Sequence, residues 1–220
     1  MSSNKSIVIS IDGNIGSSKS TLLEFIRTNC PDDYVYVDEP LNKWDQIQDA
    51  NGETILQKFY QDQTKYGFPF QTMALLSRLI AIRDAIAANP GKIIISERSL
   101  YTDKLVFAKM LFEGGIIEDV NYQIYLSCFD AFIGQCPVDA VIYIKTDYKI
   151  CRERITKRLR EGEQGIPLEY LENCEKYHDS MVEEMDRPTL VLNGNIDLKD
   201  QPDLFDGWSL RIKEWIAERF

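Results

Sequence analysis

The most explicit chemistry in this chain lies in a run of small residues near its start, Gly13-Asn14-Ile15-Gly16-Ser17-Ser18-Lys19-Ser20-Thr21. The run nearly fits the spacing G-x-x-x-x-G-K-[ST]. In that pattern successive backbone N–H groups curl around phosphates, and the helix that follows adds positive potential at its N-terminus. Lys19 would reach the β- and γ-phosphates of a nucleoside triphosphate, and the Ser20 hydroxyl is placed for Mg²⁺. One position departs from the pattern: Ser18 stands where the second glycine is expected. A Cβ there would crowd the phosphates or strain a backbone angle that glycine takes freely. Two further clusters follow compact apolar runs, Asp38-Glu39-Pro40 and Glu97-Arg98-Ser99. A carboxylate such as Glu39 can take the proton of an attacking hydroxyl. Glu97 can hold Mg²⁺, directly or through water, and Arg98 can stabilise charge on a transferred phosphoryl group. Lys145, Lys149, Arg152, Arg154, Lys157, Arg158 and Arg160 fall within sixteen residues, opposed there only by Asp147 and Glu153. Arg154 and Arg158 are four apart, so on a helix they share a face.

These residues need a scaffold, and the apolar pattern supplies one. Short runs at 6–11, 34–38, 92–96, 139–144 and 188–192 read as strands covered on both faces. Helical spacing predicts helices over 19–28, 53–65, 70–88, 100–112, 121–134, 147–160, 168–185 and 207–219. Strand–helix alternation of this kind predicts an α/β fold, a doubly wound five-stranded parallel sheet in one domain spanning 1–220. Ligands then sit at the carboxyl ends of the strands, where the phosphate loop, Glu39 and Glu97-Arg98 all fall.

Composition narrows the function. Net charge is −10, which repels phosphate backbones and argues against general nucleic-acid binding. The apolar stretches are too short for a membrane span. The five cysteines, Cys30, Cys128, Cys136, Cys151 and Cys174, form no CxxC pair, as expected for free thiols in a reducing compartment. No leader pattern precedes the first strand, so a cytoplasmic location is expected. His178 lacks a histidine partner and lies on a helix of mixed polarity, which predicts a surface position. Asn42-Lys43-Trp44-Asp45 spells a guanine-reading motif, but it follows the phosphate loop too closely, and the D-x-x-G at 49–52 comes in the wrong order.

The chain resembles the deoxyribonucleoside kinases of the deoxycytidine/deoxyguanosine kinase type. The matching segments are Ile11 through Lys19, Glu39-Pro40-Leu41-Asn42-Lys43-Trp44, Tyr60, Pro69-Phe70-Gln71-Thr72, Glu97 through Asp103, and Glu163-Gln164-Gly165-Ile166-Pro167-Leu168-Glu169-Tyr170-Leu171. The resemblance implies a P-loop kinase fold with a helical lid over about 154–166 and transfer of the ATP γ-phosphate to the 5′-hydroxyl of a deoxynucleoside. It implies that Glu39 is the base, with Arg98 holding it and the 5′ end of the sugar. Tyr60 and Glu163 would bond the 3′-hydroxyl, Gln71 would pair with the base edge, and Trp44, Phe70 and Phe107 would wall the base. Arg154, Arg158 and Arg160 match the lid arginines that close over the ATP phosphates. The loop near Asp197 and Leu198 would meet the adenine. Arg78 and Asp103 are the pair found in deoxycytidine and deoxyguanosine kinases, which implies deoxycytidine or a purine deoxynucleoside over thymidine. The family usually forms homodimers, for which the helices at 70–88 and 121–134 could supply a face. Two rival readings share this fold: a nucleoside monophosphate kinase, and a catalytically silent structural subunit.

Overall fold

The computed structural model describes residues 5–158, 163–197 and 199–220. Five strands, β1 (Ile7–Asp12), β2 (Val35–Val37), β3 (Ile93–Glu97), β4 (Ala140–Lys145) and β5 (Thr189–Asn193), pair in parallel in the order β2-β3-β1-β4-β5. Alternate residues of each strand point to opposite faces. Ile9, Ile11, Ile95, Ile142 and Ile144 therefore form one core with α1 (Lys19–Asn29) and α10 (Leu204–Ala217). Val8 and Ile94 join a second core against α4 (Gln63–Ala88) and α7 (Asp119–Phe132). The strands were predicted to within a residue or two; the continuous apolar character of β1, β3 and β4 follows from two-sided cover, whereas the edge strand β5 alternates buried and exposed residues and is covered on one face only.

The other helices are α2 (Leu41–Asp45), α3 (Ile55–Gln61), α5 (Leu100–Thr102), α6 (Lys109–Glu113), α8 (Tyr148–Arg158) and α9 (Leu168–Glu184). Two boundaries differ from expectation. The break between the second and third predicted helices lies at Asp62, not before Phe70. Asp62 leaves helical geometry at φ −147° and caps α4 by accepting from the Lys65 N–H. The helix then runs through Pro69, whose missing N–H is absorbed within a helix packed along most of its length. The predicted helix over 100–112 contains a π-helical turn at Asp103–Ala108, where Lys109 N–H reaches the Lys104 carbonyl. α2 was not predicted at all; it is too short to show a period.

Strand register carries Glu39 and Arg98 to one place. Val37 lies opposite Ser96, so two residues further on Glu39 comes level with Arg98. Ile11 lies opposite Glu97, so the phosphate loop leaves β1 beside the same pair.

Candidate active site

The phosphate loop occupies the turn between β1 and α1. Gly13 and Gly16 are needed there: a Cβ on either would lie 2.7 Å from a carbonyl oxygen, that of Ile144 or Cys151 respectively. Ser18 adopts the left-handed conformation at φ 71°, ψ 22°. The departure from glycine is thus expressed as backbone strain of roughly 1–2 kcal/mol. Asn14 bolts the loop down. Its Nδ2 donates to the Leu171 carbonyl of α9 at 2.8 Å, and its Oδ1 accepts from Ile15 N–H. Gly13, Asn14 and Ser17 support the loop from behind, whereas Ile15, Gly16, Ser18, Lys19, Ser20 and Thr21 line the cavity in front of it.

That cavity encloses about 260 Å³ and brings together all of the predicted acceptor-site residues, Glu39, Trp44, Tyr60, Phe70, Gln71, Arg78, Arg98, Asp103, Phe107 and Glu163, with Glu97 beside them. Glu39 sits at its inner end. One carboxylate oxygen accepts from Arg78 Nη2 at 3.0 Å and faces Arg98 Nε at 3.2 Å. Burial pushes its pKa up, but Arg98, Arg78 and Lys19 together hold it down at about 2. Glu39 is therefore fully ionised at neutral pH and accepts hydrogen bonds, although it is a weak proton acceptor. Lys19 is buried and donates from Nζ to the Asn14 carbonyl at 2.7 Å. Burial and the charge of Arg98 lower its pKa from 10.5 to about 8, against the opposing pull of Glu97 and Glu39.

Arg98 has a left-handed backbone, φ 65°, fixed by its N–H on the Ile11 carbonyl and its own carbonyl on Ser96 Oγ. This aims the side chain back over the phosphate loop, where Nη1 donates to the Gly13 carbonyl at 3.0 Å. The guanidinium lies 4.9 Å over the Phe107 ring. Arg78 is 2% exposed and spends all three of its nitrogens internally: Nε on Asp103 at 2.9 Å, Nη1 on the Glu97 carbonyl at 2.8 Å, Nη2 on Glu39. The Arg78–Asp103 pair expected from the sequence is therefore formed, and it reaches Glu39 as well.

Ser20 Oγ donates to Glu97 Oε1 at 2.8 Å, so the two residues assigned to a metal adjoin each other. Burial raises the Glu97 pKa, with the charge of Glu39 second. One hydroxyl and one carboxylate are the hard oxygen donors that Mg²⁺ takes when substrate phosphates and water complete its shell. The residues fit the ion.

Where the resemblance places the base, Trp44 donates its indole N–H to Ser77 at 2.9 Å and meets Phe70 edge-on at 5.3 Å. Phe70 stacks on Phe59 at 4.6 Å. Gln71 is 2% exposed at the cavity wall. Tyr60 faces Glu163; burial, then that carboxylate, raise its phenol pKa. Glu163 also accepts from Arg158 Nε at 2.8 Å.

A second cavity of about 280 Å³ lies across the phosphate loop and shares Gly16, Ser18, Thr21 and Arg158 with the first. Arg154 and Asp197 line it. Arg154 donates to the Ile196 carbonyl at 3.0 Å and approaches Ser18 Oγ at 3.5 Å. Arg160 and Leu198, also expected here, lie outside the described residues.

Some site residues were missed. Leu41, Leu56, Ala74 and Tyr170 line the first cavity, and Phe205 and Trp208 the second. His178 corrects an expectation outright: it is fully buried, not on the surface. The signal was present in the sequence. Leu171, Cys174, His178 and Met181 recur every three or four residues along the buried stripe of α9.

Comparison with known proteins agrees with this architecture. The pattern of the family described as deoxynucleoside kinase matches residues 9–216. The chain is 34% identical to deoxycytidine kinase 2 of Gallus gallus, over 87% of this chain and 83% of that protein. It is 31% identical to deoxycytidine kinase of Homo sapiens, over 95% and 90%. It is 28% identical to the mitochondrial deoxyguanosine kinase of Xenopus laevis, over 99% and 93%. A match of that extent, on a parallel sheet with a phosphate loop at the end of its central strand, means that the chain belongs to the deoxynucleoside kinase family, deoxycytidine/deoxyguanosine kinase type, and is an ATP-dependent deoxynucleoside kinase.

Proposed function

We propose that the chain, acting as one domain, transfers the γ-phosphate of ATP to the 5′-hydroxyl of deoxycytidine or a purine deoxynucleoside, with thymidine a poor substrate, in nucleotide salvage. The observation that carries the reading is the shared cavity: Glu39, which follows β2, and Lys19, which opens α1, line the same space. Glu39 accepts the 5′-hydroxyl hydrogen bond and orients the oxygen for in-line attack. Because it is held ionised and weakly basic, the proton reaches it late, as suits a loose phosphoryl-transfer transition state. Lys19, Arg98 and the lid residues Arg154 and Arg158 stabilise charge on the moving group. Ser20 and Glu97 would hold Mg²⁺, which would supply further neutralisation of the phosphates. Tyr60 and Glu163 take the 3′-hydroxyl, Gln71 the base edge, and Trp44, Phe70 and Phe107 the base faces. Arg78 and Asp103 fill the room a thymine methyl would need. The protein is proposed to work in the cytoplasm as a homodimer.

A monophosphate kinase would need cations left over for the acceptor's phosphate. Arg78 and Arg98 are instead engaged by Asp103 and Glu39, which disfavours that rival. A nucleotide-release assay with four deoxynucleosides and their monophosphates tests the proposal. Turnover is expected with the deoxynucleosides alone, thymidine last. Glu39→Gln is expected to lower kcat at least about 100-fold. Arg78→Met combined with Asp103→Ala is expected to move the ratio of kcat/KM toward thymidine. An unchanged nucleoside ranking removes the base assignment, and turnover on monophosphates alone removes the reaction.

A further inference from the structure

His178 lies on α9 behind the acceptor cavity and does not line it. Its Nδ1 is 2.6 Å from the Cys174 carbonyl, and its Nε2 is 3.2 Å from Arg98 Nη1. A carbonyl only accepts, so Nδ1 must carry the ring proton. A guanidinium only donates, so Nε2 must be bare. The two neighbours therefore select one neutral tautomer between them. Burial, then the charge of Arg98, hold the imidazole pKa well below its ordinary value, although the Cys174 carbonyl pulls the other way. The ring lies nearly parallel to Tyr143, at 4° and 6.4 Å, and meets Phe107 edge-on at 6.0 Å. Aromatic packing thus limits its rotation.

Arg98 is the group this ring touches. The same Nη1 donates to the Gly13 carbonyl, Nε faces Glu39, and the guanidinium rests on Phe107. We propose that His178 is a positioning residue for phosphoryl transfer: its bare Nε2 accepts from Arg98 Nη1 and fixes the guanidinium between the phosphate loop, the Phe107 ring and Glu39. The inference rests on the proposed roles of Arg98 and Glu39. It extends them to a residue on a different helix, one that never meets substrate. Two physical points support it. Every other polar contact of the ring runs to backbone within its own helix, so Arg98 is its one long-range polar partner among the described residues. And the left-handed backbone of Arg98 persists only where surrounding contacts over-determine it, and the side-chain bond to His178 is one of those contacts.

The test uses the purified full chain, ATP, Mg²⁺ and the best nucleoside of the four-member panel. His178→Phe keeps the ring packing and removes the acceptor. It is expected to lower kcat about tenfold while the nucleoside KM changes by less than about threefold. His178→Gln can place an amide oxygen near the Nε2 position and is expected to retain kcat to within about threefold. His178→Asn carries the same amide on a shorter arm and is expected to fall with His178→Phe. The Gln/Asn contrast carries the test by itself if the phenylalanine variant does not fold. A folded His178→Phe with the parent kcat overturns the proposal, as does a Gln variant no better than Asn. Glu39→Gln, assayed alongside, separates the two levels of argument. Full activity there removes the base assignment. An inactive Glu39→Gln beside an unaffected His178→Phe removes only the role of His178.

Discussion

Lys19 is a cation held in a buried site with Arg98 as a like-charged neighbour, and its pKa is correspondingly depressed from 10.5 to about 8. Between these values the unfolded chain binds more protons at this residue than the folded chain does. Its contribution to stability therefore rises with pH through that window, and below about pH 8 the ammonium is a net cost. Urea denaturation of the parent and Lys19→Met across pH 7 to 11 is expected to show the variant gaining least at the alkaline end, since it lacks this titration. Ser18 makes a similar point with the backbone. It holds the left-handed conformation without glycine's freedom. Ser18→Gly is expected to stabilise the fold by roughly 0.5–1 kcal/mol, read as a higher urea midpoint with an unchanged slope. At this scale the sequence was informative where side-chain chemistry met a known spacing, as for Lys19, Glu39 and Arg98. It failed for His178, because a single polar residue on a mixed helix looks the same whether it faces solvent or a buried guanidinium. Only the recurrence of Leu171, Cys174 and Met181 marked the side on which it falls.

Several site side chains are aimed by short features at or near the ends of elements, whereas Gln71 and Arg78 project from within α4. α3 delivers Tyr60, and its start is fixed by a capping box in which Thr54 Oγ1 accepts from Gln57 N–H and Gln57 Oε1 accepts from Thr54 N–H. Thr54→Ala is expected to cost about 1 kcal/mol. In a chain of this size that lowers Tm by about 2–4 °C in calorimetry. The π-helical turn in 103–108 carries both Asp103 and Phe107 toward the cavity. Strand positions were legible because two-sided burial leaves continuous apolar runs. The π turn and the passage of α4 through Pro69 were not. Both depend on packing that compensates a local defect in the hydrogen-bond ladder, and local sequence carries no trace of that compensation.

The molecule as a whole carries a net charge of −10, yet its central cavity is lined by Lys19, Arg78, Arg98 and Arg158. Glu39, Glu97, Asp103 and Glu163 line the same cavity, so its cations are matched by carboxylates and act as individually placed groups rather than as a basic surface. The outer faces of two helices are less polar. Val120 and Ile124 on α7 are 62% and 48% exposed, and Leu76 and Ile80 on the adjoining α4 are also exposed. These residues recur at four-residue spacing, so each pair presents one helical face. The proposed homodimer would cover this surface. Sedimentation velocity is expected to give a dimer for the parent and a monomer for Ile124→Glu, with turnover per chain retained. A parent that sediments as a monomer at micromolar concentration removes the dimer. No helix among the described residues is long and apolar enough to cross a membrane.

Arg78 has one further consequence. The guanidinium that pairs with Asp103, on the side proposed for the base, also donates to Glu39, on the side proposed for the reacting oxygen. Recognition and reactivity are thus mechanically joined through one rigid planar group. A nucleobase that displaces Arg78 disturbs the orientation of Glu39 at the other end of the sugar. Discrimination should then register in turnover as well as in occupancy, and redesigning selectivity through Arg78 alone should weaken the catalyst for every nucleoside it admits.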